Sequence, residues 1–191
     1  MKATLIGAAL LAAALAACGG KASFTVGGTI NGLKTDGMVL QLNGGDTLPV
    51  PAGATTFSFP NTISYGTEYT VKVLTQPAHM QCDALNPTSS AGHTTSINVV
   101  IECKQKTYAL NGSVVNYQGD GLQIINGGGY GTLTVAKTGT TFKFSGVPVG
   151  EAYGLSVLTQ PTNPTQACTF DAGTASGVMG DGDRDVVLRC Q

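Results

Sequence analysis

The stretch Val73-Leu74-Thr75-Gln76-Pro77 decides the fold, because it returns unchanged at 157–161. Outward from these two copies, the segment 24–103 aligns with the segment 108–190 with only small insertions. Identity over consecutive residues, in one register with the matches around it, indicates that one module has been duplicated. The matched positions include Gly28 and Gly112, Phe57 and Phe142, Phe59 and Phe144, Tyr69 and Tyr153, Cys82 and Cys168, and Cys103 and Cys190.

Each copy alternates apolar and polar residues with a period of two, which is typical of β-strands. Tyr69, Val71 and Val73 fall on one face of such a strand, and the matching stretch 153–157 repeats the pattern. The chain contains 27 glycines and is only 11% charged, so helix-favouring Glu, Lys and Arg are scarce. We therefore predict an all-β fold class, with two tandem small β-sandwich domains of about seven strands each.

The repeated Gln-Pro pairs at 76–77 and 160–161 have a structural interpretation. Proline lacks the backbone donor that would continue the strand, and the glutamine amide can satisfy nearby backbone groups. A binding feature shared by both modules is the alternative.

The strand pattern also carries a resemblance to a known class of sandwich. A first strand containing Gly28 precedes a Phe-x-Phe strand at 57–59 and a Gly-x-x-Tyr-x-Val-x-Val strand at 66–73. This pattern resembles the transthyretin-like or collagen-adhesin B-type sandwich, which is Ig-like in its architecture. The repeat as a whole resembles one found in tandem-repeat surface lipoproteins of proteobacteria, a resemblance that transfers no activity.

The N-terminal segment has the pattern of an export signal. Lys2 is followed by an uncharged run rich in Ala and Leu at 3–17, which is too short for a comfortable transmembrane helix. The run ends in Leu15-Ala16-Ala17-Cys18 and resembles the bacterial lipobox, in which the Cys is acylated and becomes the mature N-terminus. An ordinary signal peptide with an incidental Cys is the alternative. We predict a lipoprotein signal peptide at 1–17 and lipidation of Cys18.

The lipid anchor that this resemblance implies would attach the chain to a membrane, since each buried methylene contributes roughly 0.8 kcal/mol. Position 19 is Gly and not Asp, so by resemblance to lipoproteins of Gram-negative bacteria the inner-membrane retention residue is missing. This resemblance implies the outer membrane. It does not determine which leaflet the protein faces, and our prediction is the cell surface. The expected organisation is the lipidated Cys with a stem at 18–23, module 1 at 24–103, a linker at 104–107 and module 2 at 108–191.

Cysteine usage predicts one disulfide in each module. With Cys18 lipidated, four of the 5 cysteines remain, and four cysteines allow three connectivities. The repeat selects among them, because each module contains one pair at nearly equal separation: Cys82 with Cys103, and Cys168 with Cys190. A zinc site is the alternative, and it is disfavoured because the chain lacks Cys-x-x-Cys spacing and an exported protein meets an oxidising compartment.

The sequence shows no cofactor signature and no catalytic constellation. A net charge of −1 argues against nucleic acid as a partner, since phosphate binding needs clustered Lys and Arg. His79 and His93 lie in an irregular stretch without a counterpart in module 2, and we interpret both as solvated loop residues. An Asp-x-Asp-x-Asp run opens like a calcium loop, so Asp181, Asp183 and Asp171 are calcium candidates, with a polar turn as the alternative.

Three tyrosines in predicted turns lack a counterpart in the other module: Tyr65, Tyr117 and Tyr130. Turn tyrosines at the tips of a sandwich suit protein or glycan contact, and packing on their own loops is the alternative. The region 116–131 is the expected contact surface. We predict a non-enzymatic surface lipoprotein whose modules are displayed for protein or glycan contact or act as a spacer. The alternative function is a periplasm-facing envelope lipoprotein that binds a soluble partner or calcium.

Overall fold

The computed structural model describes residues 22–94 and 96–191, so the expected signal peptide at 1–17 and the expected lipidation site Cys18 lie outside the described residues. Within this part of the chain all regular secondary-structure elements are β-strands, and no helix is long and apolar enough to cross a membrane. The strands of module 1 are β1 (Ser23–Asn31), β2 (Met38–Leu42), β3 (Asp46–Val50), β4 (Thr56–Ser64), β5 (Glu68–Thr75), β6 (Met80–Leu85), β7 (Thr88–Ser90) and β8 (Ile97–Gln105). The strands of module 2 are β9 (Thr107–Val115), β10 (Gln123–Asn126), β11 (Gly131–Thr134), β12 (Thr141–Pro148), β13 (Ala152–Thr159), β14 (Cys168–Phe170), β15 (Ser176–Val178) and β16 (Arg184–Cys190).

Both modules have the same topology, which confirms the predicted all-β class and pair of β-sandwiches. In module 1 a sheet of order β4-β1-β8-β6 faces a sheet of order β3-β2-β5-β7. In module 2 the sheets have the orders β12-β9-β16-β14 and β11-β10-β13-β15, which is the same arrangement strand for strand. The first and last strands of each module pair in parallel, and the other strand pairs are antiparallel. The duplication seen in the sequence is therefore a duplication of the fold.

Each module has eight strands, one more than the estimate of about seven from the sequence. The additional strands are β7 and β15, which are 3 residues long. They pair with the first residues of β5 and β13. Their sequences, Thr-Ser-Ser and Ser-Gly-Val, are too short and too polar to show an alternating pattern, so periodicity could not reveal them.

Each module encloses its own hydrophobic core between its two sheets. The aromatic residues matched by the repeat lie in these cores. The rings of Phe57 and Phe59 meet edge to face with centroids 5.9 Å apart, and those of Phe142 and Phe144 lie 6.1 Å apart. In module 2 the ring of Phe170 also packs edge-on against Phe142, at 6.1 Å. This ring has no aromatic counterpart in module 1.

Gly28 and Gly112 occupy equivalent positions in β1 and β9, where the neighbouring strand lays a phenylalanine ring over the backbone. Gly28 pairs with Phe57, and Gly112 pairs with Phe142. A Cβ on Gly112 would overlap the ring of Phe142, and a Cβ on Gly28 would overlap the carbonyl of Val99. Close packing thus requires glycine at both positions.

The predicted disulfides are confirmed: Cys82 is bonded to Cys103, and Cys168 is bonded to Cys190. In each module the two cysteines lie directly opposite each other, on the last strand of the module and on the adjacent edge strand. Each disulfide therefore joins the edge of one sheet to its interior. This placement leaves no cysteine of the described residues for a zinc site.

The glutamine of each Gln-Pro pair ties the two sheets of its module together. Gln76 accepts a hydrogen bond from the backbone N of Cys82 (2.7 Å) and donates one to its carbonyl (2.9 Å). Gln160 makes the same two bonds with Cys168, at 2.8 and 3.0 Å. The interpretation that these glutamines satisfy backbone groups is confirmed. The amide links the end of one strand to the disulfide-bearing edge strand of the facing sheet.

Candidate functional site

The two modules are connected directly, at a surface that we call the junction (residues 79, 105, 106, 149 and 181). Strand β8 ends at Gln105 and β9 begins at Thr107, so most of the expected linker at 104–107 is strand. The backbone N of Lys106 donates to the carbonyl of His79 in module 1 (2.9 Å). The carbonyl of Lys106 accepts a hydrogen bond from the backbone N of Val149 in module 2 (3.0 Å). The connecting residue is thereby held by both modules.

Side chains add to these backbone ties at the junction. Gln105 Nε2 donates to the carbonyl of Val149 at 2.7 Å. Nδ1 of His79 lies 3.0 Å from Oδ2 of Asp181, and the two side chains are 48% and 52% exposed. An ion pair this exposed contributes little, so the hydrogen bonds of Gln105 and Lys106 carry most of the connection. A cleft of about 320 Å³ lies beside them, between Met80 of module 1 and Val149 of module 2.

Among the three candidate tyrosines, Tyr117 lies in the core. Asn116 before it has a positive φ of 61°, which turns the chain back toward the sandwich. The Tyr117 side chain is only 7% exposed, and its hydroxyl accepts a hydrogen bond from the backbone N of Leu122 at 3.4 Å. The expectation of a displayed tyrosine at 117 is therefore wrong, because the turn carries the ring inward.

The other two tyrosines differ: Tyr130 packs beside its own turn, and Tyr65 lies against residues from other segments of module 1. Tyr130 is half-buried and packs on the core of module 2, with its ring beside Gly128 in the turn before β11. Tyr65 is 69% exposed, and its ring lies 6.4 Å from that of Phe24. Gly92 packs against the same tyrosine ring. Tyr65 is thus the tyrosine of this set that presents most of its surface to solvent.

The three aspartates proposed for calcium point to three different partners. Asp171 forms a two-pronged ion pair with Arg189, with N–O distances of 2.9 and 3.1 Å. Asp181 faces His79 across the junction, at 3.0 Å. Within residues 22–94 and 96–191, no group of three or more His, Cys, Asp or Glu side chains could hold a metal ion. The calcium assignment is therefore wrong for this constellation.

Asp183, the remaining calcium candidate, forms hydrogen bonds with β9, the first strand of module 2. Its carboxylate accepts hydrogen bonds from the backbone N of Ala109 (2.9 Å) and from Nδ2 of Asn111 (3.3 Å). The hydrogen bond from Ala109 is the main cause that lowers the pKa of Asp183 below its ordinary value, with contributions from Asn111 and from the charge of Lys143. The aspartate accepts a hydrogen bond from a backbone N–H group. The Asp-x-Asp-x-Asp pattern alone does not distinguish this role from metal binding.

Module 1 also contains an open groove between its two sheets, which we call the β5–β6 groove. It has a volume of about 410 Å³. Its apolar lining comes from Val71, Val73, Cys82, Ala84 and Pro87. Lys72 and Asp83 also line it. The groove lies in module 1, whereas the sequence predicts the contact surface in module 2 at 116–131.

Sequence reasoning missed both the junction and the groove. Nothing in residues 104–107 distinguishes a flexible linker from strand, because four polar or charged residues occur in both settings. The groove did leave a signal: position 84 is Ala where the other module has Phe170. A large residue in one copy aligned with a small residue in the other indicates that the two modules fill this space differently.

No protein-family model matches the sequence, and a comparison with curated proteins finds no significant match. Among solved structures, the Bacillus anthracis TIE protein is similar over 87% of this chain, with 12% identity and a TM-score of 0.55. This chain covers 34% of that protein. The similarity to the TIE protein extends to the fold alone, a pair of β-sandwiches.

Two pilins give weaker similarities. A major pilin of Streptococcus pyogenes is 9% identical over 89% of this chain and 97% of its own, with a TM-score of 0.33. The minor pilin of Streptococcus agalactiae is 13% identical over 88% of this chain and 95% of its own, with a TM-score of 0.26. At these TM-scores the pilins support no argument about function.

Proposed function

We propose that this chain is a non-enzymatic, lipid-anchored protein of the outer-membrane surface that holds two β-sandwich modules in a fixed order away from the membrane for contact with protein or glycan. The observation that carries the proposal is the junction. Two modules separated by Lys106 alone, which donates a hydrogen bond to His79 and accepts one from Val149, suit a protein that positions surfaces. A reaction would need a convergent set of reactive side chains instead.

The disulfides support placement outside the cytoplasm. All four cysteines of the described residues are oxidised in pairs, one pair in each module. Disulfides of this kind persist in oxidising compartments and are rare in the cytosol. The N-terminal pattern ending at Cys18 agrees with export and supplies the anchor. Calcium is not part of the proposal, because the three candidate aspartates are bound elsewhere.

The anchor is tested by Cys18→Ser in the producing bacterium. We expect the wild-type chain in the outer-membrane fraction and the Cys18→Ser chain in the soluble fraction, because the lipid is the membrane contact. A Cys18→Ser chain that stays with the membrane would contradict lipid anchoring.

The exposure at the surface is tested with an amine-reactive label that cannot cross membranes. The exposed lysines Lys72, Lys137 and Lys143 are the targets. We expect labelling on intact cells. Gly19→Asp is the matched control, since the resemblance to Gram-negative lipoproteins implies retention at the inner membrane and labelling only after lysis. Wild-type protein that is labelled only after lysis would reject surface display and favour the periplasm-facing alternative.

A further inference from the structure

The β5–β6 groove is bounded on one side by an edge of β5 that is partly open, and on the other by β6, whose outer edge is bonded to Gln76 at Cys82. Strand β5 pairs with β7 only from Glu68 to Thr70, and one further bond runs from the backbone N of Val71 to the carbonyl of Pro87. From position 72 onward, within the described residues, no strand pairs with this edge of β5. Across the groove, β6 is the outermost strand of its sheet. The groove therefore combines apolar lining residues with a stretch of β5, residues 72–75, that has no partner strand on this side within the described residues.

Module 2 shows what fits this position. Ala84 pairs with Ile101 two residues after the disulfide-bonded Cys82, and Phe170 pairs with Leu188 two residues after Cys168, so Ala84 and Phe170 are equivalent in register. Ala84 lines the groove, and a longer side chain built in the same direction would enter it. In module 2 the ring of Phe170 packs on the core, edge-on against Phe142. One copy of the fold thus supplies its own phenyl ring where the other copy leaves space.

We propose that the β5–β6 groove of module 1 binds the aromatic side chain of an extended protein segment, whose backbone pairs with the open edge of β5 at residues 72–75. The ring lies beside Ala84, the register equivalent of Phe170 in module 2, and the backbone pairing is the usual way in which an edge strand accepts a peptide. The inference deepens the proposed function by naming the chemistry of the partner. It rests on the proposed function for the location, the cell surface, at which the partner is bound.

The lining of the groove also differs between the modules in charge. Lys72 and Asp83 line the groove in module 1, and the equivalent residues of module 2 are Ser156 and Thr169. Within residues 22–94 and 96–191 neither Lys72 nor Asp83 forms a salt bridge. These two charges among the lining residues suit a segment with polar residues beside its ring.

The test uses the full chain with Cys18→Ser, so that no attached lipid competes for apolar surface. The probes are two blocked tripeptides, one with phenylalanine between two threonines and one with alanine in its place. Binding is followed by NMR shifts of the Ala84 methyl group and of the amides at 71–75. We expect saturable shifts with the phenylalanine peptide. The dissociation constant of the alanine peptide should be about tenfold larger or more, because the ring supplies the apolar contact.

Variants at matched positions make the test specific to the groove. Ala84→Phe fills the groove as module 2 does and is expected to abolish the shifts. Leu85→Ser is the control, because this neighbouring side chain is 46% exposed and points away from the groove, and we expect unchanged binding. Phe170→Ala is expected to open a second groove, seen as new shifts at 155–159. If that variant does not fold, the comparison of Ala84→Phe with Leu85→Ser decides.

Several results would overturn the proposal. Shifts that persist in Ala84→Phe, or the absence of saturable shifts up to the solubility of the phenylalanine peptide, would exclude the groove as the site. Benzyl alcohol that binds as tightly as the peptide would contradict the pairing with β5. Because the assay is carried out in solution, its failure would leave the anchoring proposal intact, and failure of anchoring would leave the groove result intact.

Discussion

Gly112→Ala tests the packing that makes each module a closed sandwich. The added Cβ would overlap the ring of Phe142, which is 6% exposed and cannot swing into solvent without leaving the core. The ring is also held edge-on by Phe144 and Phe170, each at 6.1 Å. The side chain therefore has no free direction in which to move.

The size of the effect follows from these contacts. Overpacking a core costs typically about 1–3 kcal/mol. Displacing the ring also weakens two aromatic pairs, each of which contributes about 0.5–1.5 kcal/mol. We expect Gly112→Ala to lower the free energy of unfolding of module 2 by about 2–6 kcal/mol, which is a large share of the stability of a small domain.

Gly154→Ala is the matched control in the same module. Gly154 lies in β13, its φ is not positive, and a Cβ there meets no atom within 4 Å. Alanine at this position is expected to change stability by less than about 1 kcal/mol, and it can stabilise by restricting the unfolded chain.

The assay is urea unfolding followed by hydrogen exchange of peptides from each module, because two domains need not unfold in one step. Exchange in β9 and β12 should accelerate in Gly112→Ala, while β1 and β4 of module 1 stay unchanged. A Gly112→Ala chain as stable as Gly154→Ala would refute the claim that the ring of Phe142 lies on the backbone. Gly112→Ala combined with Phe142→Leu should recover part of the loss, since the smaller side chain leaves room.

Three further predictions concern the ties within the modules. Gln160→Ala removes both hydrogen bonds to Cys168 and should lower the free energy of unfolding of module 2 by about 2 kcal/mol, measured by urea titration; no change would show that the amide does not tie the sheets. Reduction of the two disulfides should lower the melting temperature of both modules, each by an amount corresponding to about 3 kcal/mol; a change in one module alone would contradict their equivalence. The pKa of Asp183 is lowered by the bond from Ala109, so the carboxylate stabilises the fold above the unfolded-state pKa of about 4, and this contribution is lost as the pH falls through the folded-state pKa. The melting temperature of Asp183→Asn should therefore approach that of the wild-type chain at low pH, and a constant difference between pH 7 and low pH would contradict this assignment.

Much of the fold could be predicted from the sequence, because the duplication provided an internal alignment. Positions that the two copies share, such as Gly28 and Gly112 or the paired cysteines, proved to be packing and bonding positions. The shared glutamines Gln76 and Gln160 likewise satisfied backbone groups. A residue retained in both copies meets the same physical requirement twice, which is why matched positions predict structure well.

The candidate site could not be predicted in the same way, because residues that differ between the copies carry no such constraint. The sequence places Tyr117 in a turn after Asn116 and predicts an exposed ring, but the direction of the ring depends on the φ of that asparagine. Asp183 resembled a calcium ligand because one carboxylate serves equally as a cap for Ala109. Ala84 is informative only once the ring of Phe170 is seen to pack on the core.

The direct connection of the two modules at Lys106 is the central claim, and residual dipolar couplings of the full Cys18→Ser chain in a dilute aligned medium test it most directly. If the hydrogen bonds from Lys106 and Gln105 hold the modules as one unit, the couplings of 24–94 and of 108–190 will fit one alignment tensor. Gln105→Ala should separate the two fits, because it removes a junction bond. Tensors of different magnitude for the two modules in the unmodified junction would contradict the account.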